Sequence, residues 1–315
     1  MKALTVTQYG PAGQLAVTDA RRPAPGPGQL LLQVEAAGVN PADYKLVTGE
    51  HRDTWPLQFP FVPGLDVAGT VAELGAEADG WAVGDKVFGM LLPAFGSFAE
   101  YALANAGSRL LARRPDDLDP VRAAGLATVG LTGEAMTGRA ALRPGDTVLV
   151  TGGSGGVGSM TVQLAAQVGA HVLATARPEN AAFVRSLGAA ETIDHTSQDI
   201  AMEMLRRYPA GADALLDTAG LGDGLRRLAR AVRDQGTVVS VLSAPEPGTF
   251  GRGLDVSTVY VNDARPGQLQ ALGDSIASGR LTLPVSATYQ LADAPAAITA
   301  MPWTRKPGKL IITIT

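Results

Sequence analysis

Apolar residues follow two different patterns along this chain, and the change between them falls near residue 120. Before that point, short apolar runs at 30–36, 67–74 and 86–90 are separated by glycine and proline. Short strands with such frequent turn residues predict a compact, mostly β domain. After that point, alanine-rich segments with helical spacing alternate with aliphatic runs, which predicts a parallel sheet flanked by helices. The predicted strands of that sheet lie at 148–150, 172–174, 214–216 and 238–241.

The C-terminal end returns to the β pattern. A helix is predicted over 269–277, followed by strands over 283–291 and 310–314. Because 315 residues exceed what one ordinary core holds, two domains are expected. We therefore predict that one domain is inserted between the two parts of the other. The β-rich domain comprises residues 1–121 plus 267–315, and the inserted domain comprises residues 122–266.

A strand, a glycine loop and a helix follow one another directly between residues 147 and 168. Gly153, Gly155 and Gly158 fit the pattern G-x-G-x-x-G in this setting. The first glycine permits a tight turn, the second lets backbone approach a pyrophosphate, and the third lets the helix pack on the strand. The helix N-terminus then offers free N–H groups and a positive dipole end to phosphates. The predicted cofactor contacts of this loop are Gly153, Ser154, Gly155, Gly156, Val157 and Gly158.

The end of the next strand, at 171–176, bears on the choice between NADH and NADPH. A dinucleotide fold that prefers NAD carries an acidic residue about 20 residues beyond the loop, which accepts from the ribose 2′-hydroxyl. Here the strand ends with Thr175 and is followed by Arg177, whose guanidinium would complement a 2′-phosphate. Arg177 is alternatively a solvated surface residue, and Glu179 keeps NAD open. We predict NADPH, with Thr175 and Arg177 in contact with it.

Further cofactor contacts are predicted from the ends of later strands. In an open α/β sheet, ligands lie outside the carboxyl ends of the strands. Thr218 and Ala219 follow one strand, and Val241 and Leu242 end another, so these four residues are predicted to border the cofactor. The alternative is that these small residues serve as turns.

Charge and cysteine content narrow the classes of partner. Lysine and arginine number 26 against 30 acidic residues, and a net charge of −4 gives no reason to expect nucleic acid or an anionic membrane. The absence of cysteine excludes disulfides and thiolate metal ligands. No stretch reaches the roughly 18 apolar residues of a membrane span, and the N-terminus has no secretory pattern. We expect a soluble cytoplasmic protein that acts on a small molecule.

Ordered motifs occur along nearly the whole chain, at 37–45, 63–71, 83–87, 96–101, 130–132, 152–158, 217–220 and 308–310. In these motifs the chain resembles the zinc-independent branch of the medium-chain dehydrogenase/reductase superfamily, the quinone oxidoreductase-like proteins. The resemblance implies an α/β fold in which a Rossmann-type doubly wound parallel sheet domain is inserted in a β-rich GroES-like catalytic domain. It also implies an NADPH-dependent oxidoreductase.

The alcohol dehydrogenase branch of that superfamily carries a catalytic zinc. Where that branch has its first cysteine this chain has Asn40, and the Gly-His-Glu of that branch becomes Gly64-Leu65-Asp66. With no cysteine, and histidine at positions 51, 171 and 195 alone, a tetrahedral zinc site would be hard to assemble. We predict that no catalytic metal is bound.

The resemblance also implies the residues that face the electron acceptor. Asn40, Asp43, Tyr44 and Lys45 match the active-site segment of the family, and Tyr44 or Lys45 would donate to a developing oxyanion. Alternatively, Asn40 and Asp43 cap a short helix that begins at Pro41. Thr132 resembles a family threonine that faces the nicotinamide, and its alternative is a helix threonine bonded to its own backbone.

Three further cofactor residues rest on the resemblance. His195 stands where relatives have a tyrosine that helps to hold the 2′-phosphate, unless it is an ordinary surface histidine. Asn262 and Lys309 are implied to approach the nicotinamide half.

Relatives often pair through the last strand of the dinucleotide sheet, here 256–261, so a homodimer is expected.

The predicted chemistry follows from the expected lack of a metal. Without a Lewis acid to stabilise an alkoxide, oxidation of alcohols loses its usual support, whereas reduction of an electron-poor acceptor needs less help. We therefore predict a metal-independent, NADPH-dependent reductase that transfers hydride to a quinone or an α,β-unsaturated carbonyl. An enoyl reductase that acts on a thioester or another biosynthetic intermediate is the nearest alternative. A non-catalytic NADPH-binding sensor or structural protein is the second.

Overall fold

The computed structural model describes residues 1–11, 15–241, 250–261 and 264–314, and of Trp303 the backbone alone. The chain divides into two compact units. The first unit consists of Met1–Thr128, Ala264–Arg305 and Lys309–Thr315, and the second of Val129–Asp263 and Lys306–Gly308. The first boundary falls inside a helix, several residues beyond the predicted division at 121.

The strands and helices are numbered in chain order. The strands are β1 (Lys2–Thr5), β2 (Ala16–Asp19), β3 (Gln29–Val39), β4 (Asp66–Leu74), β5 (Lys86–Met90), β6 (Tyr101–Asn105), β7 (Leu111–Arg113), β8 (Thr147–Thr151), β9 (His171–Ala176), β10 (Glu191–Asp194), β11 (Ala212–Asp217), β12 (Val232–Ser240), β13 (Asp255–Thr258), β14 (Val285–Gln290) and β15 (Lys309–Thr313). The helices are α1 (Pro41–Thr48), α2 (Pro120–Arg139), α3 (Gly156–Val168), α4 (Ala181–Ser186), α5 (Ile200–Arg207), α6 (Gly224–Leu228), α7 (Gln268–Ala277) and α8 (Ala294–Ala300).

The first unit is built on a largely antiparallel sheet with strand order β14-β15-β3-β4-β5-β7, and β6 also pairs with β3. The pairing of β14 with β15 is parallel. Register brings one end of several strands together, because Gly38 pairs with Asp66, Asp66 with Met90, and Val39 with Leu310. Aliphatic side chains of these strands form the core of this unit. The site described below lies at this end of the sheet.

The second unit contains a sheet in which every pairing among the described strands is parallel, with order β10-β9-β8-β11-β12-β13. The chain moves outward from β8 to β10 and then returns to begin again at β11. The order therefore reverses between β8 and β11, which is the crevice where doubly wound sheets bind ligands. The predicted α/β fold class is confirmed.

Several predicted elements differ from the observed ones in their ends. The predicted strand at 256–261 is strand only as far as Thr258, where its pairing with β12 stops at Ser240. The predicted strand at 283–291 ends at Gln290, because Leu291 begins a turn of 3₁₀ helix. Helix α3 spans Gly156–Val168 and is capped by Gly169, which adopts a left-handed conformation. Within the described part of the chain, no helix is both long and apolar enough to cross a membrane.

Candidate functional site

The glycine loop of the second unit follows β8 and is held by β9. The backbone N–H of Gly152 donates to Thr175 Oγ1 at 2.9 Å, and that of Gly153 donates to the Thr175 carbonyl at 2.9 Å. Gly152, with φ of 65°, occupies the left-handed region, so the tight turn is made there. We had predicted this role for Gly153, but a Cβ on Gly153 would lie 2.9 Å from Ala174 Cβ. Gly153 therefore allows close packing.

The last glycine of the loop lets α3 approach the strand. A Cβ on Gly158 would lie 2.0 Å from the Gly152 carbonyl oxygen, a distance that no side chain can occupy. Gly155, the N-cap of α3, is exposed, and a Cβ there would meet only the Gly152 carbonyl oxygen at 3.4 Å among the described atoms. Gly155, whose N–H donates to the Gly152 carbonyl at 2.9 Å, thus leaves open space beside the N-terminus of a thirteen-residue helix. This cradle fits a pyrophosphate.

Two predicted cofactor residues follow neighbouring strand ends. Ala176, the last residue of β9, pairs with Asp194, the last residue of β10, so Arg177 and His195 both leave the same edge of the sheet. Arg177 is half-buried, and its guanidinium has no hydrogen bond or ion pair within the described ranges. His195 is exposed. The Arg177 guanidinium and the His195 imidazole are thus both available at the carboxyl ends of the strands, where such sheets bind ligands.

The turn after β10 is held by a carboxylate. Asp194 accepts from the backbone and hydroxyl of Thr196 and from the hydroxyl of Ser197. Hydrogen bonds from Ser197 and Thr196 lower the pKa of Asp194 to about 2. Asp194 therefore remains ionised at neutral pH and fixes the turn that carries His195.

The ends of the central strands are joined by a buried aspartate that sequence reasoning did not single out. Asp217 Oδ1 accepts from Thr151 Oγ1 at 2.7 Å, and Oδ2 accepts from Ser240 Oγ at 2.9 Å. Oδ2 also accepts from the backbone N–H of Leu221 at 3.0 Å. One carboxylate therefore links the carboxyl ends of β8, β11 and β12. An acidic residue at the end of an otherwise aliphatic strand was the available signal.

The predicted cofactor contacts Thr218, Ala219 and Val241 form hydrogen bonds at the same ends of the central strands. Thr218 Oγ1 donates to the Thr151 carbonyl, and the backbone N–H of Ala219 donates to Thr151 Oγ1 at 3.2 Å. The N–H of Val241 donates to the Asp217 carbonyl at 3.1 Å. The predicted contacts Leu242 and Asn262 lie outside the described residues.

In the first unit, the predicted acceptor-side residues lie at the start of α1. Asn40 is the N-cap, 2% exposed, and its backbone N–H donates to Asp43 Oδ2 at 2.8 Å. Pro41 occupies the first turn, where its missing N–H costs nothing. Asn40 and Asp43 thus form the capping box that the alternative interpretation expects, and the Asn40 side chain also bonds groups outside the helix.

The Asn40 carboxamide lies between two buried charged groups. Its Nδ2 donates to Asp66 Oδ2 at 3.0 Å, and its Oδ1 accepts from Lys309 Nζ at 2.5 Å. Lys309 Nζ also donates to the Val39 carbonyl at 3.0 Å and lies 3.5 Å from Asp66 Oδ2. Asp66 belongs to the Gly64-Leu65-Asp66 motif but is not among the predicted site residues. We refer to Asn40, Asp43, Asp66 and Lys309 as the buried polar cluster.

Burial changes the acidity of two members of the buried polar cluster. Desolvation raises the pKa of the Asp43 carboxyl to about 7, and the nearby charge of Asp66 acts in the same direction. Desolvation lowers the pKa of Lys309, against the opposing charges of Asp66 and Asp43. Asp66, by contrast, has many donors, since Thr128 contributes its N–H at 3.2 Å and its hydroxyl at 2.6 Å. Asp66 is therefore the carboxylate that balances Lys309.

Tyr44 and Lys45 are half-buried, whereas Asn40 and Asp43 are buried. Neither the Tyr44 hydroxyl nor the Lys45 ammonium has a hydrogen bond within the described part of the chain, so both keep donors for a ligand. Lys45 lies near His51, whose pKa is lowered first by burial and then by that charge. Thr132 is on the part of α2 that belongs to the second unit and is 8% exposed. The roles of these residues toward ligands remain predictions.

The donor set does not fit zinc. The chain has no cysteine, and Asn40, at the position of the first cysteine ligand, already bonds Asp66 and Lys309. Over the described ranges, no group of three or more histidine, aspartate or glutamate side chains is arranged to hold a metal ion.

Two family models match this chain. Residues 26–116 match the alcohol dehydrogenase GroES-like domain, and residues 187–312 match the zinc-binding dehydrogenase model. The chain matches the zinc-binding dehydrogenase model although it has no cysteine. Among the described residues it also has no group of side chains arranged to hold a metal ion.

Curated relatives carry reductase names. A chloroplast envelope quinone oxidoreductase homolog of Arabidopsis thaliana is 38% identical over 63% of this chain and 62% of its own length. An NADPH-dependent alkenal/one oxidoreductase from the same organism is 34% identical over 79% of this chain and 64% of its own length. A trans-enoyl reductase of Aspergillus terreus is 29% identical over 92% and 87% of the two chains. The chain thus spans less than two thirds of the length of the quinone oxidoreductase homolog and of the alkenal/one oxidoreductase.

Solved structures match along the whole chain. The quinone oxidoreductase of Coxiella burnetii superimposes with a TM-score of 0.89 at 29% identity, over 100% of this chain and 99% of that one. An alcohol dehydrogenase superfamily protein of Novosphingobium aromaticivorans gives 0.88 at 32% identity over 100% of both chains. A mycobacterial protein complexed with NADPH gives 0.87 at 29% identity over 99% of both.

Proposed function

Because this chain belongs to the medium-chain dehydrogenase/reductase superfamily, among its quinone oxidoreductase-like members, we propose that it is a metal-independent, NADPH-dependent reductase. Its acceptor is a quinone or an α,β-unsaturated carbonyl. Relatives named for quinone and for alkenal/one reduction support this acceptor class.

One observation carries the choice of NADPH. Arg177 and His195 leave the carboxyl ends of adjacent strands, beside a glycine loop that fits a pyrophosphate. The Arg177 guanidinium is unpaired within the described part of the chain, and it offers the planar donors that bind a phosphate with two hydrogen bonds. A cation at this place favours a 2′-phosphate over a bare 2′-hydroxyl. Glu179 is exposed in the following turn and is not required for this arrangement.

The chain's own residues then have distinct tasks. When bound, the nicotinamide cofactor supplies the hydride. The loop from Gly153 to Gly158 holds the pyrophosphate through the free backbone N–H groups at the N-terminus of α3, and Thr175 fixes that loop through its bonds to Gly152 and Gly153. Tyr44 and Lys45, with donors to spare, stabilise the negative charge that develops on the acceptor oxygen. Holding the reactants in line and excluding water accounts for much of the rate.

The same residues are compatible with a thioester acceptor. Reduction of an enoyl thioester also places negative charge on a carbonyl oxygen, so the same donors would serve it. The trans-enoyl reductase among the relatives favours this second candidate.

A set of turnover measurements tests the proposal. Oxidation of NADPH and of NADH is followed with a simple quinone, an alkenal and a crotonyl thioester, each with and without a chelator. We expect turnover with NADPH on the quinone or the alkenal that the chelator leaves unchanged. Loss of activity on chelation would contradict metal-free chemistry, and a dominant crotonyl rate would select the enoyl reductase. Tight NADPH binding without turnover on any acceptor would identify a non-catalytic sensor.

The substitution Arg177→Ala tests the cofactor assignment. We expect the Kd of NADPH to rise by about 10- to 100-fold, while the Kd of NADH changes little, because the lost hydrogen bonds are made to the 2′-phosphate. Fluorescence titration measures both constants. Arg143→Ala removes an equally charged, exposed residue that precedes β8 and lies at the opposite end of the strands, and it should change neither Kd. Equal loss for NADPH and NADH would refute the assignment.

The amino-acid composition supports a cellular compartment and a class of partner for the enzyme. A chain without cysteine suits the reducing cytoplasm, and a net charge of −4 gives no electrostatic reason to expect nucleic acid or anionic lipid as a partner. We propose a small-molecule electron acceptor as its partner and a homodimer as its working state.

A further inference from the structure

Lys309 is the most deeply buried ammonium in the part of the chain that the structure describes, and its place is set by strand register. Leu310 pairs with Val39 across β15 and β3, which puts Lys309 beside Asn40. The side chain is 4% exposed and stands among residues of the core, with Gly125 packed close to its Cβ. Desolvation of an ammonium is costly, and buried ion pairs are often replaced by apolar residues without loss of stability. Packing alone therefore does not explain a lysine here.

The charges on either side of Asn40 determine which way its amide faces. Lys309 can only donate, and it meets Asn40 Oδ1 at 2.5 Å, whereas the Asp66 carboxylate can only accept and meets Nδ2 at 3.0 Å. A flipped amide would set its NH₂ group against the ammonium and its oxygen against the carboxylate. The two charged residues together therefore allow a single orientation.

The orientation leaves one amide hydrogen weakly held. The first N–H of Asn40 Nδ2 donates to Asp66, and the second faces the Gly38 carbonyl at 3.4 Å, which is long for a hydrogen bond. The ammonium on Oδ1 also withdraws electron density from the amide and strengthens its N–H groups as donors. The second N–H is thus the one with the weaker partner.

We propose that Lys309 is a positioning residue that holds Asn40 in the orientation needed for reduction of the acceptor, with Asp66 as its counter-charge. This inference rests on the proposed reductase function. It gives Lys309 a task in the first unit, in place of the approach to the nicotinamide that family resemblance implied. Lys309 acts through Asn40 and does not itself contact the acceptor.

A double-substitution cycle with Lys309→Met and Asn40→Ala tests the proposal. In Lys309→Met we expect kcat to fall by about 10- to 100-fold with little change in the KM of the acceptor or the Kd of NADPH, because misplaced donors affect the reacting geometry. Asn40→Ala should cost a similar factor, and the double variant should lose little more than either single one. Additive losses, or a Lys309→Met enzyme with normal kcat, would overturn the proposal.

Two further variants keep the test interpretable. Lys309→Gln preserves a polar group of intermediate length and is used if the methionine variant does not fold. Lys86→Met removes an exposed lysine at the start of β5 that pairs with Asp116, and it should leave kcat unchanged.

A measurement without turnover separates this inference from the function on which it rests. The side-chain amide NMR signals of Asn40, assigned by their loss in Asn40→Asp, should be a single sharp pair in the wild-type chain. They should broaden or split in the Lys309 variants, and a single unchanged pair would overturn the positioning role. If the wild-type chain reduces no acceptor, the reductase proposal fails, and these signals still decide whether Lys309 orients Asn40.

Discussion

Asp43 illustrates how a single buried carboxyl responds to pH. Its Oδ2 accepts from the Asn40 backbone, while Oδ1 has no hydrogen-bond partner in the described part of the chain. Asp66 and Lys309 are the charged groups that influence it. Burial, together with the charge of Asp66, outweighs the backbone hydrogen bond from Asn40 and the attraction of Lys309, which is why the pKa of Asp43 is raised to about 7. Asp43 is therefore the member of the buried polar cluster that takes up a proton near neutral pH.

The raised pKa of Asp43 predicts a loss of stability with rising pH. The native state binds this proton more tightly than the unfolded state, so the contribution is complete below about pH 4 and disappears as pH rises through about 7. We expect the free energy of unfolding to fall by on the order of 2–4 kcal/mol across that window. Asp43→Asn should flatten the dependence.

Denaturant unfolding at a series of pH values measures this effect. Asp53→Asn, which removes a fully solvated carboxyl from the following loop, serves as the matched control and should keep the wild-type dependence. Parallel pH curves for the wild-type chain and Asp43→Asn would show that another group titrates.

At the scale of elements, the glycine loop and α3 act as one piece. The loop is anchored to β9 through Thr175, and the helix approaches so closely that a Cβ on Gly158 would lie 2.0 Å from the Gly152 carbonyl oxygen. The backbone carbonyl cannot move aside as a flexible side chain would. The geometry of the phosphate cradle therefore depends on the absence of one methyl group.

Gly158→Ala should separate α3 from β8 and damage the cradle. We expect destabilisation of about 1–3 kcal/mol from overpacking. We also expect the Kd of NADPH to rise by at least about 10-fold, because the phosphate-binding N–H groups move with the helix. Thermal unfolding and fluorescence titration check the two effects.

Gly138→Ala is the matched control for this helix glycine. Gly138 is exposed near the end of α2, and a Cβ there would meet no described atom within 4 Å. Alanine should raise stability by up to about 1 kcal/mol, since glycine loses more backbone entropy on folding. Equal behaviour of both variants would contradict the packing argument.

At the scale of the whole molecule, the parallel sheet of the second unit leaves β13 at one edge. An edge strand presents unpaired backbone groups that can extend a sheet across a two-fold axis. Tyr260, shortly after this strand, exposes 62% of its surface, which is high for an aromatic residue. This edge is where we propose that two copies meet.

Sedimentation analysis tests the proposed dimer. We expect the wild-type chain to sediment with twice the mass of one chain and Tyr260→Glu to shift the equilibrium toward monomer, because the charge would be buried at the interface. Met202→Glu adds the same charge to a residue on α5 that is 72% exposed and should not change the mass. A monomeric wild-type chain would rule the dimer out.

The amino-acid sequence by itself determined the fold class, the alternation of helices and strands in the second unit, and the position of the glycine loop. These features follow from local spacing, since strand and helix periods and turn residues act on the nearest neighbours in the chain. The absence of cysteine was equally plain. The position of Arg177 directly after β9 was predictable because it depends on one strand and one loop.

Only the tertiary structure decided how the buried polar cluster is joined. Asn40 meets Lys309 across 269 residues of sequence and Asp66 across 26, and these contacts exist because strand register brings β3, β4 and β15 together. The link from Asp217 to Thr151 and Ser240 likewise depends on which strands are neighbours. Local preferences carry no information about register, which the packing of the whole sheet selects. For that reason the sequence named Asn40 and Lys309 separately, and the folded chain showed that they bond to each other.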